Sequence, residues 1–239
     1  GDDLAFRNGL LLISDEGWQG ELGEVQVWVD DPPGTFTRTW RIPRPTWDPP
    51  GKWFGYALHV ASSTRFYTAM FIEEEAPYQV VIQMDLVGGV WERTAVIVPN
   101  PIEESFGGYA RNSIYQTIIQ GKETLLVGCP DHRYGGRDDQ GCVYVFQRVG
   151  GTWYFQATLE LPGDLLVPFT RFGQVIAETE EGFYCIGHDL GVHVYKVGVD
   201  GNLAYATRLS RGVATVDTLT AAWGGSTQLG FWAMTALPD

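Results

Sequence analysis

Apolar residues recur at every second position in four segments of the chain: "GEVQVWV" (23–29), "YQVVIQM" (78–84), "GCVYVFQ" (141–147) and "GVHVYKV" (191–197). Period two marks a β-strand with one face buried. A short apolar stretch precedes each segment: "LLLIS" (10–14), "AMFIE" (69–73), "LLVGC" (125–129) and "YCIGH" (184–188). A Gly-containing turn and a further strand follow each, as in "VGGVWERT" and "VGGTWYFQATL". Ahead of three of the groups stands a Phe-Gly step, Phe54-Gly55, Phe106-Gly107 and Phe172-Gly173, with Leu229-Gly230 as a degenerate fourth. The pattern predicts four strands per group: a Phe-Gly strand A, an apolar strand B, an alternating strand C and a strand D that usually carries an aromatic.

Successive C strands lie 55 (Val25 to Val80), 63 (Val80 to Val143) and 49 (Val143 to Val192) residues apart. Four short antiparallel strands in about 50–60 residues make one blade of a β-propeller. The expected fold is therefore all-β, a four-bladed β-propeller, with residues 1–239 as a single domain. The chain opens at a strand B and closes on "QLGFWAMTALPD", a strand A with no successor. Joining the ends predicts a first blade closed by both chain termini, which leaves no free sheet edge. The alternative is four blades cut from a larger propeller.

Composition narrows the function classes. With 239 residues the chain is long enough to bury a core without a metal or a disulfide. Hydrophobic residues make up 44%, against disorder. The net charge of −13 repels phosphate backbones and anionic lipid, so no nucleic acid is expected as a partner. No apolar run approaches the roughly 20 residues of a spanning helix, so no membrane insertion is expected. The chain starts at Gly1 without Met and is expected to be a processed or excised piece.

Residues 106–173, "FGGYARN…ETLLVGCPDHRYGGRDDQGCVYVFQRVGGTWYFQATLELP…RFG", resemble the FG-GAP repeat of integrin α-chain-like β-propellers. The likeness lies in the Phe-Gly start, the strand ending Val-Gly-x-Pro, the loop ending in Gly, the Val-Tyr-Val-Phe strand and the Gly-x-Trp turn. The other groups follow the pattern more loosely. The resemblance implies an interaction or adhesion module that is extracellular, on a cell surface or on a virion surface. It also implies calcium sites of the form Asp-x-Asp-x-Asp-Gly in A–B loops. Here those loops read "RNSIYQTIIQGKE", "ETEEG" and "HVASSTRF", without the alternating carboxylates of a calcium cage. No cofactor is therefore expected.

The segment "GCPDHRYGGRDDQGC" (128–142) connects a strand B to a strand C. Cys129 ends one strand and Cys142 begins the next, so their Cβ atoms are expected at the ~4 Å that a disulfide needs. Asp131, Asp138 and Asp139 are weak metal candidates, since Gly135 and Gly136 interrupt them and the spacing fits no known loop. Cys185, aligned with Leu126, reads as a buried thiol. His193 reads as a packed or outward strand residue. There is no H-E-x-x-H, G-x-S-x-G or C-x-x-C motif, so the chain is read as non-enzymatic, with a hydrolase on a propeller scaffold as a distant alternative.

Up-and-down strands put the B–C and D–A loops on one face and the A–B and C–D hairpins on the other. The B–C and D–A loops are the longer and more aromatic set. Long loops on a rigid scaffold are where binding concentrates. Trp18, Trp47, His132, Arg133, Tyr134, Arg137 and Trp223 form the expected contact set, because Trp, Tyr and Arg dominate interface hot spots. The expected ligand is a protein; a glycan, bound in lectin fashion by stacking on Trp, is the alternative.

Overall fold

A computed structural model describes residues 3–15, 17, 20, 22–46, 51–72, 78–99, 106–107, 113–133, 139–161, 170–188 and 191–210. It is all-β, with four antiparallel sheets in chain order. Sheet one holds β1 (Leu4–Arg7), β2 (Leu10–Asp15), β3 (Glu24–Asp30) and β4 (Phe36–Pro43). Sheet two holds β5 (Gly51–Lys52), β6 (Leu58–Ser62), β7 (Arg65–Ile72), β8 (Tyr78–Val87) and β9 (Val90–Ile97), with β5 and β6 both paired to β7. Sheet three holds β10 (Ile114–Ile119), β11 (Lys122–Cys129), β12 (Cys142–Val149) and β13 (Thr152–Leu159). Sheet four holds β14 (Val175–Glu178), β15 (Tyr184–His188), β16 (Gly191–Val197) and β17 (Leu203–Ser210).

One expectation is corrected. The place beside β2 that was read as vacant is taken by β1, paired to β2 from Leu4↔Ile13 to Arg7↔Leu10. The cause is Asn8-Gly9, whose φ angles of 52° and 74° give the two left-handed residues of a two-residue hairpin turn. Residues 227–239, read as the missing strand, lie outside the described residues. A second, smaller correction concerns register: the C-strand position shared by the groups is Val25, Val81, Val143 and Val192, so Val81 replaces Val80.

Opposite those valines stand Ser14, Ala69, Gly128 and Gly187 on the B strands. The shared small size has a cause. Each Phe-Gly step sits in the seam between two sheets, and Phe54-Gly55 and Phe172-Gly173 donate backbone hydrogen bonds to both. Gly55, Gly107 and Gly173 donate to the carbonyls of Ala69, Gly128 and Gly187 in their own sheets, at 3.3, 2.9 and 3.2 Å. Phe54 and Phe172 donate to Leu22 and Gln140 of the preceding sheets, at 3.3 and 2.9 Å. Any bulk on the facing strand B would push the step out of the seam.

The three cores lie between sheets. Alternation along β7 sends Phe66, Met70 and Ile72 toward sheet one and Tyr67 and Ala69 toward sheet three. Along β12 it sends Cys142, Tyr144 and Phe146 toward sheet two and Val143 and Val145 toward sheet four. Sheets two and three are thus buried on both faces. Phe54, Phe106 and Phe172, each 0% exposed, fill the successive seams.

Candidate functional site

Two places bring polar side chains together. The first is the connection from β11 to β12. Pro130 removes an amide donor beside the last residue of β11. The His132 amide then donates to the Cys129 carbonyl at 3.1 Å, closing a turn. The His132 carbonyl in turn accepts the amides of Gln140 and Gly141, at 3.2 and 3.1 Å, so the loop is clasped at its base. The far side of the clasp is welded to the next connection. Asp139 and Gln140 carbonyls accept the amides of Arg171 and Phe172, and the Thr170 hydroxyl donates to Gln140.

Within this clasp Cys129 and Cys142 face each other as direct partners in the ladder, and both are fully buried. The His132 ring stands edge-on to Tyr144 with centroids 6.2 Å apart. One ring nitrogen and the two sulfurs lie within 4.8 Å of one another. Asp131 pairs with Arg171 at 3.7 Å, a half-exposed contact worth little on its own. Arg133 is exposed. Of the other residues expected to make contacts or hold a cation, Trp18, Trp47, Tyr134, Arg137, Asp138 and Trp223 lie outside the described residues. Sequence reasoning put His132 with the surface contact set; the structure gathers it with the two cysteines instead.

The second place was not anticipated. The A strands stand side by side, β1 beside β6, β6 beside β10 and β10 beside β14. The Asp3 carboxylate, in the residue preceding β1, accepts the Leu58 amide of β6 at 2.9 Å. His59 Nε2 of β6 accepts the Gln116 amide of β10 at 3.1 Å. The Thr117 hydroxyl of β10 donates to Glu178 of β14 at 2.8 Å, and the Tyr184 hydroxyl also donates to that carboxylate at 3.1 Å. Arg7 of sheet one lies over the Tyr115 ring of sheet three at 6.0 Å.

Electrostatics there follow from burial. Burial, then the Arg7 cation, push the His59 pKa down to about 3. Burial, then the Glu178 carboxylate, push the Tyr115 phenol up to about 12. The ring of His59 is therefore neutral and that of Tyr115 un-ionised throughout the physiological range. The signal for this cluster was present in "LHV", "IYQT" and "VIAE", polar residues interrupting otherwise apolar A strands. The pair His188 and His193 forms a third, smaller contact, with ring nitrogens 2.9 Å apart. His193 is thus a packed residue at 1% exposure. Cys185 is half-buried rather than buried, and desolvation pushes its thiol up to about 11.

Among the described residues no helix is long and apolar enough to cross a membrane. No family model and no curated protein matches the chain.

Proposed function

We propose that the chain is a four-bladed β-propeller whose long-loop edge docks a protein partner. The observation that carries this reading is the asymmetry between the two edges of the first three sheets. At one edge the connections are clipped hairpins: Asn8-Gly9, Gly88-Gly89, Gln120-Gly121 and Gly150-Gly151 all turn in left-handed conformations. At the other edge the connections run from β4 to β6, β9 to β10, β11 to β12 and β13 to β14, and are several times longer. The edges stay segregated between sheets. The β16–β17 turn at Gly201 abuts Gln120 of the β10–β11 turn, whereas Phe172 on a long connection abuts Gly141 on another. A scaffold that trims one edge to minimal turns and lengthens the other is built to present loops.

Ring geometry is supported by the A strands. Tyr115 of sheet three interacts with Arg7 of sheet one and Glu178 of sheet four. Contact from opposite sheets to one side chain is expected where strands converge on an axis. Rings from His59 and Tyr115, 5.0 Å apart, occupy that convergence, beside Ala5, which is buried. A filled axis argues for recognition on the loops rather than catalysis within a central channel.

The expected hot spot is the β11–β12 loop. Arg133→Ala and Tyr134→Ala are each expected to weaken partner binding by about 1–3 kcal/mol without lowering the melting temperature. Val199→Ala, on the exposed turn at the opposite edge, is expected to change nothing. Calorimetry with a partner isolated by cross-linking on the intact chain reads all three variants. Loss of binding in Val199→Ala with none in Arg133→Ala and Tyr134→Ala would invert the assignment, and specific capture on a glycan array would favour a lectin.

A further inference from the structure

We infer that Cys129, Cys142 and His132 form a binding site for zinc, which locks the base of the β11–β12 loop. The inference is independent of the propeller reading. Three donors from two strands and a turn converge within 4.8 Å of one another. In a tetrahedral site, Zn–S bonds of about 2.3 Å and Zn–N bonds of about 2.0 Å place neighbouring donors roughly 3.6–3.8 Å apart. The donors must close by about 1 Å, which small rotations about the cysteine χ1 and histidine χ2 angles supply. The backbone needs no change, because the ladder already fixes Cys129 opposite Cys142 and the turn already fixes His132.

Two thiolates with one imidazole select a soft or borderline cation, and zinc is the commonest such ion with no geometric demand of its own. Charge balance also favours it. The sulfurs lie in the core between sheets two and three, where a lone thiolate would be costly. Binding releases the two thiol protons to solvent, and the dication neutralises the two thiolates that remain. His132 is only partly buried, so the fourth position faces the loop edge and takes water or an incoming donor. The turn from Cys129 to His132 gives the spacing C-x-x-H, short enough to hold two ligands on one corner.

The same sulfurs would be consumed by a Cys129–Cys142 disulfide, so the two states exclude each other. The test uses the whole chain, purified anaerobically with reductant, and titrates Co2+ as a spectroscopic probe before zinc competition. The expected result is one Co2+ per chain, with a thiolate-to-metal charge-transfer band and tetrahedral d–d absorption, both erased by one equivalent of Zn2+. His132→Ala, a partly exposed position that leaves the core intact, is expected to weaken Co2+ binding about tenfold or more. Cys142→Ser is expected to remove the charge-transfer band or halve it, and Cys185→Ser to leave it unchanged. Affinity is expected to rise with pH as thiol protons are lost. A folded wild-type chain without the band, or a band indifferent to Cys142→Ser, would overturn the inference. So would a single alkylatable thiol in anaerobically purified protein, since that marks a standing disulfide.

Discussion

Gly141→Ala is expected to destabilise the domain by about 2–5 kcal/mol, a large share of the 5–15 kcal/mol that holds a typical fold together. Two costs combine. Gly141 has a φ of 76°, and a Cβ in the left-handed region costs about 1–2 kcal/mol. That Cβ would also fall far inside van der Waals contact of the Phe172 carbonyl and amide, in backbone that cannot swing away. Overpacking of this kind costs about 1–3 kcal/mol. Gly121→Ala separates the two. Its φ is 77°, yet nothing lies within 4 Å of the added carbon, so it carries the conformational cost alone. Urea denaturation of both variants measures the difference. Equal midpoints would mean that the seam between sheets three and four yields freely, and that the Phe-Gly step is not what sets its spacing.

The seam explains why part of the fold was legible in the sequence and part was not. Alternation in β3, β8, β12 and β16 is a local signal, since successive residues of a strand point to opposite faces; in β12 those faces meet two different cores. The Phe-Gly steps were visible as a recurrence, but their work is non-local: Phe54-Gly55 and Phe172-Gly173 donate to carbonyls of two different sheets, and nothing in Phe172-Gly173 itself names Gln140 or Gly187. The strand β1 was missed for the opposite reason. Asn8-Gly9 is a plain hairpin signal, but the four residues of β1 ahead of it carry no Phe-Gly step and too short an apolar pattern to mark a strand A. The Cys129–Cys142 register followed directly from antiparallel pairing. His132 did not, because a turn that folds a loop residue back onto strand ends leaves no periodic trace.

Stability is expected to fall as the pH is lowered from 6.5 toward 4.5, before most carboxylates begin to titrate. The cause is three histidines held neutral in the fold. His59 is 9% exposed; it packs near the rings of Tyr67 and Tyr115, and Arg7 is the cation that faces it. Its Nε2 accepts the Gln116 amide, a bond an imidazolium cannot accept. Burial first, then charge, puts His59 and His188 at about 3; His193, pushed down by burial and then Arg208, lies at about 4. In the unfolded chain each returns to about 6.5. Between those values the unfolded state binds more protons, so acid favours unfolding; above 6.5 neither state is protonated and the full stability is present. Each histidine contributes a slope of about 1.4 kcal/mol per pH unit once the pH is well below 6.5. His59→Gln keeps an acceptor for Gln116 and removes the titration, so its slope is expected to be smaller by one proton. Urea midpoints at pH 7.0, 5.5 and 4.5 for both proteins give the two slopes. A wild-type stability flat over that range, or a His59→Gln slope equal to the wild type, would mean that His59 is hydrated and charged in the folded state and that the packing between β6 and β10 is open to water.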